Sequence, residues 1–159
     1  MATEGFQGSA RGDISAMFPY MRCNLQVSSS ILHRQHSNNP QAGISTIDPK
    51  EAIDVFYNDM SKPEAEYWAS QLLPQSIGVF WSKTTYAAWR YIRSTYVLCG
   101  RDQSMSLPYG EMILSAAQSS PPHMIDTVEK CDVAGHCVML SQVQWTVGML
   151  RRAAGERMS

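Results

Sequence analysis

Two stretches of the chain have the composition of short, buried β-strands. Residues 94–100, STYVLCG, combine β-branched, aromatic and apolar side chains and end at a glycine. Residues 123–131, HMIDTVEKC, are a second candidate of similar length. Short runs of this kind, bounded by turn-forming residues, are typical of strands. We therefore predict one strand in each stretch.

Helix signals fill much of the segment 44–93, which we predict to be a helical region. Asp48 and Pro49 make an N-cap and first-turn pair ahead of a short helix. Ser61 and Glu64 form a capping box at the start of a second helix. The apolar face predicted for this second helix consists of Ala65, Trp68, Ala69 and Leu72, and Pro74 ends it.

The rest of this region is aromatic, and two further short helical pieces are predicted in QSIGVFWSK and TTYAAWRYI. Trp81, Tyr86 and Trp89 lie in these pieces and are candidates for contact with an apolar ligand. Packing in a small helical layer is the alternative role for each of them.

Helices are also predicted after each of the two strands. SLPYGEMILSAAQ has Ser106 as its N-cap, and SQVQWTVGMLRRAAG is followed by Gly155 as a C′ residue. The order strand, helix, strand, helix over 94–157 predicts an α/β architecture with a parallel strand pair. The apolar face of the last helix is predicted to comprise Val143, Val147, Leu150 and Ala154.

Residues 1–43 lack a clear periodicity and are predicted to be irregular or disordered. Within them, 24–43 is a polar stretch with three consecutive serines and an Asn-Asn-Pro. This stretch has the composition of translated non-coding sequence. We therefore hypothesise that 24–43 is a mis-spliced insert.

Composition restricts the classes of partner. The formal net charge is −1, which argues against nucleic acid and against an anionic membrane surface. The first residues lack the features of a secretory signal, so a cytoplasmic protein with four reduced cysteines is expected. Cys131, His136 and Cys137 do not form a paired zinc-ligand pattern, and neither a metal nor another cofactor is expected.

Two residues follow the predicted strands at the carboxyl ends, where α/β proteins carry their functional side chains. Asp102 follows the first strand in LCGRDQSM, and His136 follows the second in CDVAGHCVML. A carboxylate beside an imidazole can fix its tautomer and stabilise the imidazolium ion. A solvated loop aspartate and a structural histidine are the alternatives.

The run from about Asp48 to Gly155 resembles the cap and C-terminal part of an α/β-hydrolase, and is most similar to the small-molecule esterase-like branch of fungi and bacteria. The matching pieces are VFYNDM, LLPQSIGVF, TYAAWRYI, STYVLCGRDQSM and AGHCVMLSQ. The resemblance implies a partial α/β-hydrolase fold with a helical cap segment and the last two parallel strands. It also implies that Asp102 is the acid and His136 the histidine of a Ser-Asp-His triad.

The nucleophile motif G-x-S-x-G is missing from the 159 residues, since QGSARG has an alanine at its centre. The chain is therefore interpreted as part of a hydrolase that cleaves esters of a small apolar metabolite. The alternative is an inactive fragment or pseudoenzyme that binds a ligand or a partner. A third hypothesis, in which Cys137 is the nucleophile, is disfavoured because adjacent residues at a strand end usually point apart.

Overall fold

The computed structural model describes the backbone of residues 21–24 and the residues 43–76 and 85–156. The strands are β1 Met21–Asn24, β2 Ile44–Ile47, β3 Gln75–Ser76, β4 Ser94–Cys99 and β5 Ile125–Cys131. The α-helices are α1 Pro49–Phe56, α2 Lys62–Ser70, α3 Leu107–Gln118, α4 Val138–Ser141 and α5 Val143–Ala153, and a 3₁₀ helix covers Ala88–Arg90.

Strands β4 and β5 form a parallel two-stranded sheet, which confirms the predicted strand pair. Their register runs from Ser94 opposite Ile125 to Cys99 opposite Cys131, with an irregularity between Ser94 and Thr95. Helix α3 connects the strands, as expected for a parallel pair. The two strands therefore end level with one another, which places the loops that follow them side by side.

A second sheet was not predicted from the sequence. Strand β2 pairs antiparallel with β1 on one side and with β3 on the other. Met21–Asn24 thus form a strand within the segment 1–43 that was predicted to be irregular, and the rest of 1–42 lies outside the described residues. Gln75–Ser76 are extended where a helical piece was predicted, and the described part of TTYAAWRYI, residues 85–92, contains only the 3₁₀ turn Ala88–Arg90.

The predicted helix starts of the cap-like region are confirmed in detail. The carboxylate of Asp48 accepts a hydrogen bond of 2.8 Å from the Lys50 N–H at the start of α1. Ser61 and Glu64 form the predicted capping box at the start of α2. Helix α2 ends at Ser70, so Leu72 lies beyond the helix and is exposed, whereas Ala65 and Ala69 are buried.

Three small clusters make up the described core. Helices α1 and α2 share one cluster, β4, β5 and α3 share another, and the end of β5 with α4 forms the third. Their buried members are Ala52, Tyr57, Ala65 and Ala69; Leu98, Leu114, Ala117 and Ile125; and Cys131, Ala134 and Val138. Two members of the third cluster, Ala134 and Val138, lie on either side of His136 in the chain, so this cluster supports the candidate site.

The predicted apolar face of the last helix is not buried within the described part of the chain. Val143, Val147 and Leu150 on α5 are exposed, as is Ala154 just after it. The helix itself and its end are as predicted, with Gly155 at a positive φ of 87°. Periodicity identified the helix correctly, and the side chains of its apolar face are exposed because no element of the described chain covers them.

None of the described helices is both long and apolar enough to cross a bilayer.

Candidate active site

The ends of β4 and β5 are joined by backbone contacts that bring the acid loop (100–105) against the histidine loop (134–141). Gly100 N–H donates to Cys131 O at 2.9 Å, and Arg101 N–H donates to Ala134 O at 2.8 Å. A Cβ at Gly100 would lie 2.5 Å from Asp132 O, so this close approach requires glycine. The strand pairing thus continues into the loops and fixes their relative position.

Asp102 and His136 meet at this point. Oδ2 of Asp102 lies 2.9 Å from Nδ1 of His136, within ordinary hydrogen-bond distance. The Asp102 side chain is only 9% exposed, whereas the His136 side chain is 35% exposed. The two residues predicted as acid and histidine are therefore in contact, with the carboxylate buried behind a ring that solvent reaches.

The acid loop also binds the carboxylate of Asp102 directly. Oδ1 accepts hydrogen bonds of 2.8 Å from the N–H groups of Ser104 and Met105. Burial by itself raises the pKa of this carboxyl, but the hydrogen bonds from His136, Met105 and Ser104 outweigh it and lower the pKa below its ordinary value. Asp102 is therefore ionised at neutral pH and can only accept, so the proton between it and His136 belongs to Nδ1.

Three residues that sequence analysis did not select also contribute to the site. The ring of Phe56 packs on the His136 imidazole, with centroids 5.1 Å apart and planes tilted by 30°. Asn58 Nδ2 donates to Arg101 O at 2.9 Å, and the Asp59 carboxylate accepts from Gly135 N–H at 2.6 Å. All three lie in VFYNDM, so the only sequence signal for them was its match to the resembled family.

The thiol of Cys137, next to His136, is not activated. Burial, followed by the charges of Asp59 and Asp102, raises the pKa of the Cys137 thiol. A nucleophilic cysteine needs a lowered pKa, which argues against Cys137 as nucleophile. Cys99, Cys131 and Cys137 are free thiols, and the side chain of Cys23 lies outside the described residues. Within 43–76 and 85–156, His, Cys, Asp and Glu do not cluster in a way that would hold a metal ion.

Of the three candidate ligand-binding aromatics, two lie in the described chain. Tyr86 is exposed and stacks on Tyr91 with ring centroids 5.6 Å apart. Trp89 packs against the cluster formed by β4, β5 and α3, and the guanidinium of Arg90 lies 4.7 Å from its ring centre. Trp81 lies outside the described residues. For Trp89 these contacts correspond to core packing, and the role of all three in substrate binding stays a prediction.

Comparison with known proteins finds similar proteins both by sequence and by structure. The chain is 32% identical over 117 residues to a protein of Aspergillus novofumigatus named alpha/beta hydrolase nvfD, a match that covers 73% of this chain and 44% of that protein. The crystal structure of polyneuridine aldehyde esterase superposes with a TM-score of 0.69 at 17% identity, covering 96% of this chain and 55% of the other. A histidine-to-alanine mutant of that esterase gives the same TM-score at 15% identity.

No protein-family model matches the chain. The chain spans about half the length of the proteins it resembles. The solved structures are too distant in sequence to indicate more than the fold, which agrees with the predicted partial α/β-hydrolase fold. The fungal relative and the shared fold together confirm the resemblance first indicated by the motifs. The chain is thus similar in sequence to an α/β-hydrolase, and its fold is a partial α/β-hydrolase fold.

Proposed function

We propose that Asp102 and His136 are the acid and the histidine of a serine hydrolase site that cleaves an ester, or a similar acyl bond, of a small apolar molecule. The observation that carries the proposal is the 2.9 Å contact between Asp102 Oδ2 and His136 Nδ1 at the ends of two adjacent parallel strands. An esterase is in keeping with the name of the solved structure that the fold resembles.

The geometry supports a defined role for each residue. His136 carries its proton on Nδ1, which leaves Nε2 free of that proton and able to accept one from a serine hydroxyl. The ionised carboxylate of Asp102 then stabilises the imidazolium ion that forms. His136 later gives the proton to the leaving alkoxide. Its partial exposure is what a group that must reach a substrate requires.

An apolar substrate is proposed from the apolar side chains around the ring. Phe56 packs on one face of His136, and an acyl or alkyl group bound near the imidazole would contact it. Trp81, Tyr86 and Trp89 are the further candidates for substrate contact. A small apolar ester as ligand, a cytoplasmic location and the absence of a nucleic-acid partner belong to the same proposal.

The nucleophile of this reaction would be a serine in a G-x-S-x-G turn, which these 159 residues do not contain. The proposal therefore concerns a form of the protein that includes such a turn. The same observation favours a second candidate function, a catalytically inactive module that binds a small ligand or a partner.

One experiment separates the two functions. The 159-residue chain, and a form extended by any in-frame coding sequence found upstream of it in the gene, are incubated with a chromogenic short-chain ester and a serine-directed phosphonate. Turnover and a labelled serine in the extended form, with a kcat that falls about 10⁴-fold in its Asp102→Asn variant, would support the hydrolase. If neither form shows turnover or a labelled serine, the result supports the inactive binding module instead.

A further inference from the structure

The turn between α1 and α2 contacts both loops of the candidate site. Its Asp59 uses a single oxygen, Oδ2, for two hydrogen bonds: one from Gly135 N–H at 2.6 Å and one from Ser141 Oγ at 2.5 Å. Gly135 directly precedes His136, and Ser141 is the last residue of α4. The histidine loop is therefore bound near both of its ends by one carboxylate.

The neighbouring residue in the same turn binds the acid loop. Asn58 Nδ2 donates to the carbonyl oxygen of Arg101, the residue before Asp102, at 2.9 Å. Arg101 N–H in turn donates to Ala134 O in the histidine loop at 2.8 Å. Two consecutive side chains thus connect to the residues immediately before the acid and before the histidine.

Packing leaves little freedom in this arrangement. Gly135 is buried, and a Cβ there would lie 2.7 Å from Asp59 Oδ1 and would also collide with Asn58 Oδ1. Asp59 Oδ1 is itself buried, and no described residue forms a hydrogen bond with it. Burying this carboxylate costs free energy, and within the described chain only the hydrogen bonds to Oδ2 offset that cost. The two bonds to the histidine loop are therefore the contacts that favour a carboxylate at this position.

We propose that Asp59 is a positioning residue, which orients the His136 ring against Asp102 by fixing the backbone before it and the helix after it. The inference rests on the proposed function, because the orientation of the ring matters for proton transfer. Catalytic groups must be held within a fraction of an ångström of their productive geometry, and hydrogen bonds to the surrounding backbone supply that precision.

The test uses nuclear magnetic resonance on the 159-residue chain and needs neither the nucleophilic serine nor a substrate. The pKa of Asp102 is measured from the ¹³C resonance of its carboxyl, together with the proton resonance of the His136 Nδ1–H. In Asp59→Ala we expect the Nδ1–H resonance to be lost through exchange with water. We also expect the pKa of Asp102 to rise toward that of an unpaired carboxyl, because the hydrogen bond from His136 lowers it.

The direction in which the pKa of Asp102 changes distinguishes a positioning role of Asp59 from a direct effect of its charge. Removing a negative charge near Asp102 would lower its pKa, if it acted at all, whereas displacement of the His136 ring raises it. Asp59→Asn keeps an acceptor oxygen without the charge, so it should retain the Nδ1–H resonance. Asp54→Ala, which removes an exposed carboxylate from α1, is the matched control and should change neither signal.

A folded Asp59→Ala variant with both signals unchanged would overturn the proposal. If that variant does not fold, Ser141→Ala decides, since it removes only one of the two bonds: faster exchange of the Nδ1–H supports positioning, and an unchanged rate overturns it. A chain that passes this test but shows no hydrolysis in its extended form would disprove the proposed function and leave the role of Asp59 in place.

Discussion

Nδ1 of His136 and Oδ2 of Asp102 lie 2.9 Å apart although 34 positions separate the two residues in the sequence. Their contact depends on the register of β4 and β5, in which Cys99 lies opposite Cys131, and on the backbone hydrogen bonds that continue this pairing beyond the strands. The pair therefore links the folding of the sheet to the chemistry proposed for the site.

A first prediction concerns acid. The pKa of Asp102 is lowered in the folded protein, so its ionised form stabilises the fold at pH values above the ordinary value of about 3.9, and this contribution is lost as the pH falls through the folded pKa. Asp102→Asn should therefore lower the free energy of unfolding at pH 7, and its difference from the wild type should shrink at acid pH. Urea unfolding at both pH values measures this.

The control for the acid experiment is Asp54→Asn, an exposed change on α1 that should have little effect at either pH. An Asp102→Asn penalty that is equal at neutral and acid pH would contradict the prediction.

A second prediction concerns the glycine before the histidine. Gly135→Ala places a methyl group against Asn58 and Asp59, whose positions are fixed by hydrogen bonds to Arg101 and Ser141. We expect a loss of about 1–3 kcal/mol in the free energy of unfolding. Thermal and denaturant unfolding, followed by circular dichroism, provide the measurement.

Gly110→Ala is the matched control for this change. Among the described residues its Cβ would meet one methyl group of Leu98, 3.0 Å away, and no hydrogen-bonded polar group, and alanine favours the helix α3 in which it lies. The interpretation fails if Gly135→Ala proves no more destabilising than Gly110→Ala.

A third prediction concerns thiol reactivity. Burial, followed by the charges of Asp102 and other neighbours, raises the pKa of Cys99 to about 11, and the pKa of Cys137 is also raised. Both thiols should react with iodoacetamide at neutral pH far more slowly in the folded protein than in urea, because the thiolate is the reactive form. Mass spectrometry of the alkylated peptides measures each site separately. Equal rates in folded and unfolded protein would show that these thiols are neither buried nor raised in pKa.

A fourth prediction compares two leucines on different helices. Leu114 on α3 is 9% exposed and packs in the sheet cluster, whereas Leu150 on α5 is 58% exposed. Leu114→Ala should cost about 2–5 kcal/mol in the free energy of unfolding, and Leu150→Ala less than about 0.5 kcal/mol. Denaturant unfolding of the two variants tests the comparison. A large loss from Leu150→Ala would mean that the face of α5 is covered in solution.

The elements that sequence analysis predicted well are those with local signals. Ser61 and Glu64 define a helix start by their spacing alone, and the β-branched run of β4 needs no partner to be recognised. The candidate pair was predictable because Asp102 and His136 each follow a strand, and parallel strands end at the same edge.

The elements that were missed depend on distant partners. Ile44–Ile47 is short and has two adjacent polar residues at its centre, so it lacks strand periodicity, and its strand character comes from pairing with Met21–Asn24 and Gln75–Ser76. Asp59 resembles any turn aspartate in sequence, since its partners Gly135 and Ser141 are 76 and 82 positions away. Whether the apolar face of α5 is covered likewise depends on which elements surround the helix, and periodicity does not contain that information.

The two oxygens of Asp102 have separate partners, since Oδ1 binds the amides of Ser104 and Met105 and Oδ2 binds His136. The site is consequently sensitive to the length of the acidic side chain as well as to its charge. In Asp102→Glu the extra methylene would move the carboxylate by about 1.5 Å, the length of one carbon–carbon bond. The glutamate would then lose either the hydrogen bonds from the amides of Ser104 and Met105 or the one from His136. A substitution that preserves the charge would therefore not preserve the geometry of the site.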